Sequence, residues 1–166
     1  MTFGSFPVSV LRCRRFIFRI SLMCVAAILL AALPGCNSKP SDRALVFVTP
    51  TEGEQIVQGQ KRLLGIGNSK GGVWIDARTP QAYQAEHIPG AINVPFERVT
   101  QEYDRLKDYS TIIVYGEEYN DARALGMSKR LMALGHKDVR TLTGGLRAWK
   151  TANLPTSKGS NASGVN

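Results

Sequence analysis

Thr111-Ile112-Ile113-Val114-Tyr115, followed by Gly116-Glu117-Glu118-Tyr119-Asn120 and then by Asp121–Leu134, is the segment from which the architecture follows. The first five residues are β-branched or aromatic almost throughout, which suits a strand buried on both faces rather than one that alternates between core and water. In the last segment Ala124, Met127, Leu131 and Leu134 recur at helical spacing and Gly135 follows as a stop, so a long helix is expected there. The five residues between them form a strand-to-helix loop rich in charge.

In both directions from this unit the pattern repeats. Leu45-Val46-Phe47-Val48 is a short apolar run. Thr49-Pro50-Thr51-Glu52 has the form of a capping box with proline at the first helical position, and the helix it opens is expected to run to about Leu64. Val73-Trp74-Ile75 reads as a buried strand, and Thr79-Pro80 opens a short helix. Ala91-Ile92-Asn93-Val94 is a third run, with a helix expected over 98–107. Asp138-Val139-Arg140-Thr141-Leu142 is a fifth strand, and Gly144-Gly145 turns into a closing helix through Trp149. Short apolar strands alternating with helices predict an α/β fold, a mainly parallel five-stranded sheet with helices on both faces. In such a sheet ligands sit beyond the carboxyl ends of the strands, which makes the loop 116–120 the place to look for function.

The ends differ in character. Residues 1–35 carry Arg12, Arg14, Arg15 and Arg19 and no acid, and Ile20–Leu33 is a fourteen-residue apolar stretch broken only by Ser21. A basic start, a short apolar run and small residues before a cut site are the pattern of an export signal, and the run is shorter than the roughly 20 residues of a spanning helix. Leu33-Pro34-Gly35-Cys36 resembles the bacterial lipobox, in which the cysteine is acylated and becomes the new N-terminus. The expectation is therefore a protein of the bacterial cell envelope, held to the membrane through acylated Cys36 and facing the periplasm. An uncleaved anchor, or a signal cut near Ala32, is the alternative. Asn37 is not aspartate, so nothing here resembles an inner-membrane retention signal. Residues 36–44 read as a polar tether and 156–166, small and polar, as a disordered tail. The domain is expected over 45–155.

The full chain has 21 Lys+Arg against 13 Asp+Glu, net +8; without the four arginines of the signal, 17 face 13, net +4. That scattered excess does not make a nucleic-acid footprint. The three cysteines are Cys13, Cys24 and Cys36, so downstream of Cys36 no disulfide, cysteine metal site or cysteine nucleophile can form. No cofactor or metal is expected: Glu117, Glu118 and Asp121 fit no calcium-loop spacing, and no nucleotide motif or Ser-His-Asp order occurs.

Ile75-Asp76-Ala77-Arg78-Thr79-Pro80, Tyr83 and His87-Ile88-Pro89-Gly90-Ala91-Ile92-Asn93-Val94-Pro95 resemble the front half of a rhodanese-like domain. Ile112–Tyr115, Leu134-Gly135, Leu142-Thr143-Gly144-Gly145-Leu146-Arg147-Ala148-Trp149 and Leu154-Pro155 resemble its back half, in the same order. The resemblance implies a sulfurtransferase fold in which the strand at 112–115 delivers a cysteine into a loop of inward-pointing N–H groups, where a thiolate carries sulfur as a persulfide. The position matching that cysteine is Gly116. The loop is longer than the compact loop of many active members, Ala82 stands where many have glutamate, and Glu86 stands where glycine is common. Net negative charge in the loop is expected to oppose an anionic donor or thiolate by roughly 1 kcal/mol or more per nearby charge.

The reading is a rhodanese-like domain without its nucleophile, a binding or regulatory module for an unidentified protein or small molecule. The alternative is a sulfurtransferase working with an external thiol. Asp76 and Arg78 either frame the cleft or make a structural strand-to-helix bond. His87 reads as a structural loop histidine, and Trp74 and Trp149 as core.

Overall fold

Each strand of the sheet is short because each is bounded by a turn signal, and all five run the same way. In the computed structural model, residues 41–62 and 70–159 are described, with Met1. The order is β1 (Val46–Val48), α1 (Pro50–Arg62), β2 (Gly72–Asp76), α2 (Pro80–Ala85), β3 (Ile92–Asn93), α3 (Val99–Glu102), β4 (Thr111–Tyr115), α4 (Ala122–Ala133), β5 (Val139–Leu142) and α5 (Gly145–Thr151). The strands pair in parallel in the order β1-β5-β4-β2-β3. The expected parallel α/β sheet with helices on both faces is what forms.

Alternate residues of the central strands feed two cores, because successive side chains leave opposite faces of a sheet. Val73, Ile75, Ile112 and Val114 pack with Val99 of α3 and Ala124, Met127 and Leu131 of α4. Trp74, Ile113 and Tyr115 pack with Val57 of α1, Tyr83 of α2 and Leu146 and Trp149 of α5. Trp74 and Trp149 meet edge to face at 5.1 Å between ring centroids, so both are core residues as expected.

Local chemistry sets the helix starts. Thr49 and Glu52 close the capping box: the Thr49 N–H donates to Glu52 Oε2 at 2.9 Å and the Glu52 N–H to Thr49 Oγ1 at 3.4 Å. Thr79 Oγ1 accepts from the Ala82 N–H ahead of Pro80. The helix expected over 98–107 is instead three successive pieces, a 3-10 turn Phe96–Arg98, α3, and a 3-10 turn Tyr103–Arg105. None of the three has a capping side chain, and the segment is held by burial of Val99 and Leu106 rather than by its own ladder.

Two peripheral segments carry more structure than their composition suggests. Asp42–Ala44 forms a 3-10 turn ahead of β1. Thr156–Gly159 returns to the domain: Ser157 exchanges N–H···O bonds with His87 at 2.8 and 2.9 Å, and the Gly159 N–H reaches the Gln84 carbonyl at 2.7 Å. The proposed signal, Cys36 and residues 160–166 lie outside the described residues.

Candidate functional site

From β2 the chain moves outward to β3 on one side; from β4 it moves to β5 on the other. The carboxyl ends of β2 and β4, in register at Asp76 and Tyr115, therefore flank the crevice where the winding direction changes. Asp76 ends β2, and the loop 116–121 leaves β4 beside it.

Asp76 is fully buried and Arg78 is 3% exposed. Arg78 Nε donates to Asp76 Oδ1 at 3.0 Å, Nη2 to Oδ2 at 2.7 Å, and the Arg78 N–H to Oδ1 at 2.9 Å. The remaining guanidinium donors reach further: Nη2 to the Glu86 carbonyl at 2.6 Å and Nη1 to Glu117 Oε2 at 2.6 Å. Burial opposes the charge of Arg78, but the hydrogen bonds and charge of Asp76, then of Glu117, outweigh it and hold the guanidinium protonated. The two readings of this pair thus merge: it is a strand-end structural bond whose outer edge pins the loop. Beneath it, the Tyr115 hydroxyl accepts the Ile88 N–H at 3.2 Å, and burial followed by the charge of Asp76 pushes its pKa up. Asn93 Nδ2 donates to the carbonyls of Asp76 and Arg78 at 3.1 and 2.9 Å.

The loop is docked at both its ends. The carbonyls of Gly116 and Glu117 accept the N–H groups of Leu146 and Arg147, each at 3.0 Å, at the start of α5. Gly145, at φ +57°, permits this approach: a Cβ there would lie 2.6 Å from the Gly116 carbonyl oxygen. Glu118 pairs with Arg147 at 3.1 Å, Tyr119 is exposed, and Asn120 takes φ +55°, a conformation asparagine tolerates. The charge expected to burden the loop is largely compensated, since Glu117 faces Arg78, Glu118 faces Arg147 and Asp121 faces Arg123. The sequence could not show this because Arg78 and Arg147 are distant along the chain.

Asp121 caps α4 and fills the space directly above Gly116. Its Oδ2 accepts the Glu117 N–H at 2.9 Å and its Oδ1 the Arg123 N–H at 2.9 Å. Burial works against its charge, yet these N–H groups and Arg123 hold the carboxyl below its usual range. Gly116 lies directly beneath: a Cβ built there would stand 2.6 Å from both Asp121 Cβ and Oδ2. The arrangement turns one loop N–H and one helix N–H onto the protein's own carboxylate, with no thiol within the described residues.

His87 is fully buried, stacked on Tyr83 at 3.9 Å between centroids, with Nδ1 2.8 Å from the Tyr83 carbonyl, so it is structural as expected. Asn93, Arg147 and Gly145 are the contributors that sequence reading did not place in the site. The only signal for Asn93 is a polar residue inside an apolar run. Among the described residues no cluster of three or more His, Cys, Asp or Glu could hold a metal ion.

A parallel sheet with a docked loop at its switch point places the chain among the α/β proteins whose ligand sites lie beyond the carboxyl ends of the strands. Residues 60–152 match the rhodanese-like domain, and the chain belongs to that family. Thiosulfate sulfurtransferase PspE of Escherichia coli strain K12 is 36% identical over 89 residues, 52% of this chain and 79% of that enzyme. Protein slr1261 of Synechocystis sp. is 32% identical over 90 residues, 54% of this chain and 49% of its own; the chain spans about half or less of several curated relatives. The BH2092 protein of Bacillus halodurans has the same fold, with a TM-score of 0.56 at 22% identity over 70% of this chain and 79% of that one.

Proposed function

We propose that this chain is a non-catalytic rhodanese-like module, held at the bacterial envelope through acylated Cys36 and facing the periplasm, which binds a protein or small molecule through the crevice at 116–121. The observation that carries this reading is the Asp121 carboxylate, hydrogen-bonded to the N–H groups of Glu117 in the loop and Arg123 in α4 and occupying the space a side chain at Gly116 would need. Gly116 stands at the end of β4, where the family resemblance places the sulfur-carrying cysteine, and no cysteine follows Cys36. Glycine supplies no nucleophile, and loss of a covalent nucleophile typically costs several orders of magnitude in rate. Acylation by several chains at Cys36 gives firm anchoring where a single chain gives only marginal binding.

The test is a thiosulfate-to-cyanide assay on the purified full chain. Thiocyanate no greater than a protein-free blank is expected; turnover above that blank sinks the non-catalytic reading. Relatives such as PspE favour a second reading, sulfur transfer with a borrowed thiol, and the same assay with an added small thiol decides it. The mass of the mature N-terminal peptide tests the anchor, since an unmodified N-terminus or one beginning elsewhere rules it out.

A further inference from the structure

Large apolar side chains are rarely exposed among the described residues: apart from Met1 they are Val46, Phe47, Phe96 and Tyr119. Three of these four gather on one edge of the sheet. Val46 and Phe47, 51% and 50% exposed, belong to β1, the outermost strand, which has a single strand neighbour. Phe47 and Tyr119, the latter 68% exposed, line one shared hollow with Ala124 and Leu125. On the other side of β1 a shallow hollow of about 440 Å³ runs between Val46, Phe47 and Ile56, with Arg140 at its rim. Natural edge strands are usually blunted with charge or proline, and Val46-Phe47-Val48 has neither.

We infer that this edge, Val46, Phe47 and Tyr119, rests on the surface of the lipid bilayer. The inference rests on the proposed acylation of Cys36. Only five peptide steps separate Cys36 from Ser41, where the described chain begins. Fully extended they span at most about 18 Å, and the 3-10 turn at Asp42–Ala44 adds roughly 2 Å per residue. With Leu45 included, the β1 edge is thus held within roughly 28 Å of the acylated cysteine, and a tether of that length turns a weak surface contact into a high local concentration.

The chemistry of the patch suits the lipid–water interface. An aliphatic residue, a phenyl ring and a tyrosine are flanked by arginine, the composition of residues that lie at headgroup level. Arg43 makes no ion pair among the described residues, and Arg140 shares its charge with Asp138 at 3.0 Å. Glu52, Glu118 and Asp121 also border the hollows, the last two paired with Arg147 and Arg123, so the surroundings are close to balanced and attraction to anionic lipid is not the main force. The contact is driven by apolar burial and changes little with salt. It stands the sheet on its β1 edge and opens the loop 116–121 along the membrane surface, so that a ligand reaches the crevice sideways from the aqueous layer over the lipid.

The test uses the full processed chain in vesicles of phosphatidylethanolamine and phosphatidylglycerol, with and without brominated lipid. Trp74 and Trp149 are buried and give a low background. Phe47→Trp is the reporter, and Phe96→Trp, just after β3 at the opposite edge, is the control. Several-fold stronger bromine quenching at position 47 than at 96, little altered by salt, supports the inference. Equal quenching at both positions overturns it, as does a blue-shifted but unquenched reporter at position 47 accompanied by a dimer in sedimentation, which gives the edge to a second copy. The N-terminal peptide mass is read on the same sample. An acylated chain whose reporter at position 47 is unquenched refutes the surface and spares the anchor; for an unacylated chain, the anchor fails, and quenching by vesicles added from outside decides the surface alone.

Discussion

At position 116 a glycine lies hard against the carboxylate of Asp121. A cysteine placed there would put its Cβ 2.6 Å from Asp121 Cβ and Oδ2 and closer still to Cγ, so Gly116→Cys has to push that carboxylate off the Glu117 and Arg123 N–H groups. Overpacking of this kind costs about 1–3 kcal/mol, a loss that urea denaturation of the variant should report. Gly116→Cys with Asp121→Gly should recover part of that stability, and its thiol should alkylate faster than that of the single variant, because the loop donors are then free to lower its pKa. Neutralising Glu117 or Glu118 should do less, since each already faces an arginine. His136 offers a separate test. It is buried, its Nε2 has no hydrogen-bond partner among the described residues, and burial lowers its pKa despite Asp138. A depressed folded-state pKa means that protons bind the unfolded chain preferentially, so this contribution is intact above the unfolded value of about 6.5 and is lost as pH falls below it. Stability measured by denaturant should therefore decline from pH about 6.5 downward, and His136→Phe should flatten that decline; an unchanged slope would exclude His136 as its source.

At the level of elements, the loop and α5 form one unit. Two backbone hydrogen bonds from the start of α5 to Gly116 and Glu117 hold the loop against the sheet, and they require Gly145 to have no Cβ. Gly145→Ala places a methyl 2.6 Å from a carbonyl oxygen at a positive φ, and a loss of about 2 kcal/mol or more is expected from strain and overpacking together. Hydrogen exchange should show the Leu146 and Arg147 amides losing protection first, before those of β4. The segment 96–105 makes the contrasting case. Its apolar residues fall at helical spacing, but with no cap at any start the chain breaks into short turns anchored by Val99 and Leu106.

For the whole molecule, the C-terminal strand closure matters more than its composition implies. Ser157 pairs with His87, Thr156 Oγ1 with Glu86 at 3.0 Å, and Gly159 with Gln84. Glu86 in turn holds Lys150 and lends its carbonyl to Arg78, so the return of the chain braces the loop that carries the buried ion pair. A chain ending at Pro155 should melt several degrees lower, since about 1 kcal/mol corresponds to roughly 4–8 °C in a domain of this size. An unchanged melting temperature would show that 156–159 only lies along the surface.

Local pattern along the chain was enough to establish the alternation of apolar strands and helices, and from it a parallel sheet covered on both faces. It was also enough for the capping box at Thr49–Glu52, the pairing candidates Asp76 and Arg78, the location of the loop at 116–121 and the absence of any cysteine after Cys36. These features are legible because periodicity, capping and residue type act within a few residues of chain. Packing set the strand order, the matching of Glu117 to Arg78 and Glu118 to Arg147, the service of Asn93 and Gly145 to the site, and the docking of 156–159. Each of these joins residues far apart in sequence, whose proximity is set by how the layers meet and not by any local pattern. Asp121 lies at the boundary between the two: the start of a helix at 121 was legible in the chain, while its capping bond and its place above Gly116 follow from the turn that brings it back over the strand end.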